Sequence, residues 1–228
     1  MSNHNSYLRW YQLNYVLSGE QSPVSFCVMN IRLLPALVAA CFGLALLIIP
    51  PAAEARPKVQ TKTQHYRVDG SDAAAIVSSM MGNHRLLGGR GRVGRTKMQR
   101  HIEWEFSETK NSCRVKSHTV RLDFTTQLPR HQAEKRLDGS LRKQWQAFAK
   151  HVQWHESQHR SIWLNCARAA ENRVNKARAG TCGQLLKKLD RIYKDSNTAC
   201  DKLHASFDAK ETRTLGKHPL IRRANLGN

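Results

Sequence analysis

The sequence predicts an α+β domain: a small antiparallel sheet with an N-terminal helix, packed on a long C-terminal antiparallel helix hairpin. Three observations carry this. Between residues 98 and 124 apolar and polar side chains alternate, the period of half-buried strands. From residue 141 onward the spacing changes to threes and fours, the period of helices that bury one face. A break at Ala179-Gly180-Thr181-Cys182-Gly183 then divides the helical region into two arms, and so short a connection folds them antiparallel.

The chain of 228 residues opens on a leader. Met29-Asn30-Ile31-Arg32 is a short positive segment, Leu33 to Ile49 is apolar apart from Pro35 and Gly43, and Ala53-Glu54-Ala55 supplies small residues for cleavage. Residues 29–55 therefore read as a signal peptide, with cleavage after Ala55 and a secreted or periplasmic product. Residues 1–28 read as an over-called start or an extended n-region. Residues 56–211 are the expected single domain, and 212–228 a basic flexible tail. The chain meets a membrane only if the leader stays uncleaved.

The formal net charge is +20, and the leader holds two basic and two acidic residues, so the domain keeps all of it. Such a charge favours anionic partners, of which an exported protein meets acidic envelope polymers first. The Arg-rich stretch 85–100 has no interleaved aromatic residue, which argues against specific nucleic-acid binding. Of six cysteines, Cys27 and Cys41 lie in the leader. Cys113, Cys166, Cys182 and Cys200 remain, an even count that implies two disulfides.

Taken in order, residues 56–63 read as a basic, Thr-rich lead-in and His65-Tyr66-Arg67-Val68 as a short strand ended by Asp69-Gly70. Ser71 or Asp72 caps a helix running to Met81. Residues 82–95 read as a mobile loop. Their G-x-G-x-x-G, at Gly89, Gly91 and Gly94, follows no β-rich run and is crowded by arginines, which argues against a dinucleotide site. Met98, Arg100, Ile102, Trp104 and Phe106 share one face of the next strand. Cys113, Val115, Val120, Leu122 and Phe124 mark its partner, with a phase slip near Ser117 and an end at Leu128-Pro129. Leu141, Trp145, Phe148, Val152, His155, His159, Ile162, Cys166 and Ala169 then form one helical seam. Leu185, Leu189, Ile192, Ala199, Leu203 and Phe207 form another.

The first seam contains His155-Glu156-Ser157-Gln158-His159, an H-E-x-x-H sequence. Residues four apart share a helix face, so both imidazoles reach one metal ion while Glu156 leans over the same place. Two neutral His ligands and a carboxylate that takes a proton from activated water are the components of a zinc hydrolase. His151 is excluded as a further ligand, because it lies eight residues, roughly 12 Å, from His159 along the helix. The third ligand must come from another element, and the helix facing the motif is the natural source. Folding about residue 181 brings residues 203–207 opposite the motif, and His204, Asp208 and Glu211 are the candidates. The wheel places His204 and Glu211 nearest the seam and Asp208 further round.

The same folding sorts the cysteines. Cys182 and Cys200 lie 18 residues apart on one helix, roughly 27 Å, beyond bridging range. Cys166 and Cys200 approach across the hairpin, which leaves Cys113 for Cys182.

Several features appear in series: Tyr66-Arg67-Val68-Asp69-Gly70, Trp104, Cys113-Arg114-Val115-Lys116, Leu128-Pro129-Arg130, Trp145, the H-E-x-x-H, Cys182, and Phe207-Asp208 with Glu211-Thr212. In these the chain resembles a bacterial family of predicted secreted zinc-dependent proteases, domain of unknown function 922. The resemblance implies a zinc metallopeptidase acting on protein or peptide. Its metal would lie on His155, His159 and, carried over from the family's Asp-x-x-Thr segment, Asp208, with Glu156 as catalytic base. The family's following His-Gly pair is absent here, and His218 is displaced from it. A basic binding protein for acidic envelope polymer, with a non-catalytic metal site, is the alternative expectation.

Overall fold

A computed structural model of the chain describes residues 57–226, residue 90 apart. The leader expected over residues 1–55 lies outside the described residues. The element order begins with strand β1 (Lys58–Val68), helix α1 (Ala73–Gly82) and a single turn α2 (His84–Leu87). Strands β2 (Arg95–Thr109) and β3 (Ser112–His131) follow, then helix α3 (Gly139–Asn175) and the two-residue strand β4 (Arg178–Ala179). Helices α4 (Cys182–Gly216) and α5 (Pro219–Leu226) complete the described residues.

The α+β plan is the expected one, with one difference in the sheet. β2 and β3 form the antiparallel pair read from the alternation, and their register shifts between Glu105 and Phe106, opposite the anticipated slip near Ser117. The third strand, β1, joins the other edge of β3 in parallel, Lys58 against Arg121 through Val68 against His131. Residues 58–63, expected as part of a lead-in, are therefore strand. They carry no apolar alternation because their side chains on both faces are exposed. For the same reason the sheet does not end at Leu128-Pro129. Pairing with β2 stops at Gln127, so Pro129 sits where β3 has a neighbour on one side only, the position that tolerates a missing N–H.

Asp72 caps α1 by accepting from the Ala75 N–H, and Asp138 caps α3 by accepting from the Ser140 and Leu141 N–H groups. The expected mobile loop 82–95 is anchored by Leu87 and Val93, both buried in a core shared with Tyr66, Ile76, Met80, Trp145, Phe148 and Val152. The expected flexible tail is a correction too. α4 continues to Gly216, and α5 buries Leu220 and Ala224 in that same core. Pro219 supplies the first residue of α5, where a missing N–H costs nothing.

The two long helices form the predicted hairpin, and both pack on the sheet. Trp163, Cys166 and Ala167 of α3 and Cys200 of α4 meet Val120, Leu122 and Phe124 of β3. Further along, Val174, Leu185, Leu189 and Ile192 enclose Cys113. Both disulfides join the pairs expected from the hairpin, Cys113–Cys182 and Cys166–Cys200. Such bonds are the mark of proteins matured in an oxidising compartment outside the cytosol. Among the described residues no helix is long and apolar enough to cross a membrane.

Candidate metal centre

A helix of 37 residues keeps its own period of 3.6, while the sequence seam advances by 3.5, so the buried stripe drifts across the side chains. By mid-helix it has moved one residue on. Glu156 and Trp163 are buried, whereas His155 and His159 stand beside the stripe with side chains 23% and 12% exposed. The two histidines thus face α4 and the carboxylate between them faces the sheet. α4 drifts likewise: Leu203 is 54% exposed, and the covered positions are Ser196, Cys200, His204 and Glu211.

Across the hairpin the three candidate third ligands take three different places. Asp208 lies against both histidines, its Oδ1 3.0 Å from His159 Nε2 and 3.3 Å from His155 Nε2. The two Nε2 atoms are 3.0 Å apart. His204 instead meets the far side of His159, Nδ1 to Nδ1 at 2.8 Å. Glu211 meets His151, Oε2 to Nε2 at 3.1 Å, one turn toward the start of α3. One donor atom from each of His155, His159 and Asp208 lies within 4.8 Å of the others. Two imidazoles and a carboxylate oxygen converging on one point are a donor set that suits zinc, and this geometry fits the ion.

Glu156 is 4% exposed. Thr96, second residue of β2, donates its hydroxyl to Glu156 Oε2 at 2.8 Å. Just before it, Gly94 presses its backbone onto the same side chain: a Cβ there would lie 2.6 Å from Glu156 Oε1 and 2.8 Å from Val152 Cγ1. Only a residue without a side chain fits. Burial raises the Glu156 carboxyl above its ordinary range, against the lowering pull of the Thr96 hydrogen bond and of His159 and His155. Tyr66 is raised by burial, with the field of Glu156 adding, and donates its hydroxyl to the Val93 carbonyl at 2.8 Å.

Asp208 responds in the opposite sense. Partial burial works to raise its carboxyl, but the hydrogen bonds and field of His155 and His159 outweigh that and hold it low. His204 is completely buried, and burial together with the field of His159 pulls it down from 6.5 to about 4. Phe207 closes the outer side, its ring 4.8 Å from His155 and 5.3 Å from His159.

A family model described as a bacterial protein of unknown function (DUF922) matches residues 63–216, most of the chain. The chain belongs to that family. The match spans β1 from its middle through α4, so the DUF922 segment contains every residue of the centre described above. Neither the curated proteins nor the solved structures yield a match. Within this DUF922 domain the structure brings together the H-E-x-x-H histidines and Asp208, with Glu156 beside them. His151 and His218 lie outside that group, their ring centroids 6.3 Å apart. Gly94, Thr96 and His204 were not singled out for these places by the sequence. Gly94 belonged to a glycine pattern whose dinucleotide meaning fails, and His204 entered only as an alternative ligand.

Proposed function

We propose that the domain is a zinc-dependent hydrolase of peptide bonds working outside the cytosol. The observation that supports it is the convergence of His155, His159 and Asp208 donor atoms beside a buried glutamate. His155 and His159 would hold the ion through Nε2 and Asp208 through Oδ1. When bound, zinc supplies Lewis acidity that brings water to ionise near pH 7. Glu156 serves as the base: its raised carboxyl takes a proton from the attacking water and returns it to the leaving amine. Thr96 and Gly94 hold that carboxylate in one orientation, and the sheet at its back keeps bulk water from it. Phe207, set against both histidine rings, walls one side of the space where a peptide would lie.

Metal analysis and a peptide-hydrolysis assay on wild type, His159→Ala and Glu156→Gln test this. About one zinc per chain is expected in wild type, none in His159→Ala, and in Glu156→Gln a retained ion with hydrolysis lost. Equally little zinc in wild type and His159→Ala overturns the proposal. The net charge of +20 supports a second function, retention on acidic envelope polymer. That binding would collapse with added salt and be indifferent to Glu156→Gln.

A further inference from the structure

We infer that His204 is a positioning residue for the metal centre, accepting the Nδ1–H of His159 and thereby fixing the tautomer that presents His159 Nε2 to the ion. This rests on the assignment of His155, His159 and Asp208 as metal donors. Two imidazole nitrogens 2.8 Å apart need one proton between them; two protons or two lone pairs would repel. His159 Nε2 is committed to the donor cluster, 3.0 Å from both His155 Nε2 and Asp208 Oδ1. A neutral ligand histidine bound through Nε2 carries its proton on Nδ1, so His204 Nδ1 must accept.

The acceptor is itself held. His204 is completely buried, its ring centroid is 4.7 Å from that of Trp163, and its Nε2 lies 3.8 Å from the sulfur of Cys200. Cys200, His204 and Asp208 follow one another at intervals of four along α4. One helix face therefore carries a disulfide anchor, the positioning residue and the third donor in turn. Cys200 is bonded to Cys166, on the same helix as His159. The cross-link ties both imidazoles to one frame, and a rotation of either helix would have to break their contact.

Zinc affinity of the purified chain, measured by competition with a chelator, is compared among wild type, His204→Leu and His204→Asn. Cobalt(II) spectra are recorded on the same proteins. His204→Leu removes the acceptor and is expected to weaken zinc binding about 10–100-fold and to alter the cobalt spectrum. Asn places an amide oxygen near the position of Nδ1 and is expected to recover most of the affinity. Equal affinity in His204→Leu and wild type overturns the inference, as does equal weakness in Leu and Asn. Imidazole nitrogen NMR of zinc-loaded wild type gives a test that needs no variant. The His159 Nδ1 proton should show a scalar coupling across to His204 Nδ1, and an unprotonated His159 Nδ1 overturns the inference. Wild type that binds no zinc removes the metal assignment itself, and this inference falls with it.

Discussion

Replacing Gly94 by alanine tests how tightly the start of β2 seats the glutamate. The added methyl would meet Glu156 Oε1 at 2.6 Å, Val152 Cγ1 at 2.8 Å and Glu156 Cγ at 3.0 Å. Ordinary carbon–carbon contact is about 3.5–4.0 Å, so the overlap is severe. Val152 is 2% exposed and packed in the core with Trp145 and Phe148. The strand must lift or Glu156 must swing away and lose its 2.8 Å bond from Thr96. Overpacking costs about 1–3 kcal/mol, and a hydrogen bond to a charged group is worth about 1.5–3 kcal/mol. The expected loss is about 3 kcal/mol, a fall in Tm of about 6–12 °C for a domain of this size. Thermal unfolding of the metal-free chain reads it directly. In a Glu156→Ala background two of the three clashing atoms are gone, so the same change should cost at least about 1 kcal/mol less. A loss below about 0.5 kcal/mol, or one equal in the two backgrounds, refutes the contact.

Three further outcomes are expected. In metal-free protein His204 titrates near 4 instead of 6.5, so the unfolded chain takes up a proton that the folded chain refuses. That stability is complete above 6.5 and is lost as pH falls from 6.5 toward 4, about 3 kcal/mol at 1.36 kcal/mol per pH unit. Urea titrations should show the fall in wild type and a flatter profile in His204→Asn; equal slopes would refute it. Removing the Cys113–Cys182 bond, which spans 69 residues, should cost about 4 kcal/mol on the chain-entropy account. Cys113→Ala/Cys182→Ala unfolding at the wild-type midpoint would contradict that. Leu220→Ala should cost about 2–5 kcal/mol, because Leu220 is fully buried; a change within about 0.5 kcal/mol would show that α5 is not part of the core.

Much of this architecture could be read from residue spacing, because spacing records which face is buried. The β2–β3 alternation, its slip near Ser117, both long helices and the disulfide pairs follow from it. The strand over 58–63 leaves no trace in the spacing, since exposed side chains on both faces have no period, and its partner lies far along the chain. The tail reads as flexible from sequence because α5 contributes only short apolar segments around its arginines, and a two-residue anchor resembles chance. At the site, His155, Glu156 and His159 were legible as a motif on a helix. The hairpin offers Asp208 only as one of three candidates, and family resemblance alone ranks it first, because a wheel extrapolated over α4 favours the covered positions 204 and 211. The groups that hold the glutamate, the Gly94 backbone and the Thr96 hydroxyl, come from a different layer, 60 residues away at Thr96, and no local pattern announces them.

The parallel seating of β1 has a consequence for the order in which the domain assembles. β2 and β3 are joined by a tight turn, so their ladder can zip locally as soon as both exist. Lys58 pairs with Arg121 and Val68 with His131, so β1 must close a loop of about sixty residues before its first rung forms. Such long-range pairing is late and slow compared with hairpin closure. Until it happens, the edge of β3 offers unpaired backbone groups to any extended segment nearby. The strand made first thus docks only after the hairpin it joins, and the interval before it docks is when nascent copies of this protein are most exposed to one another.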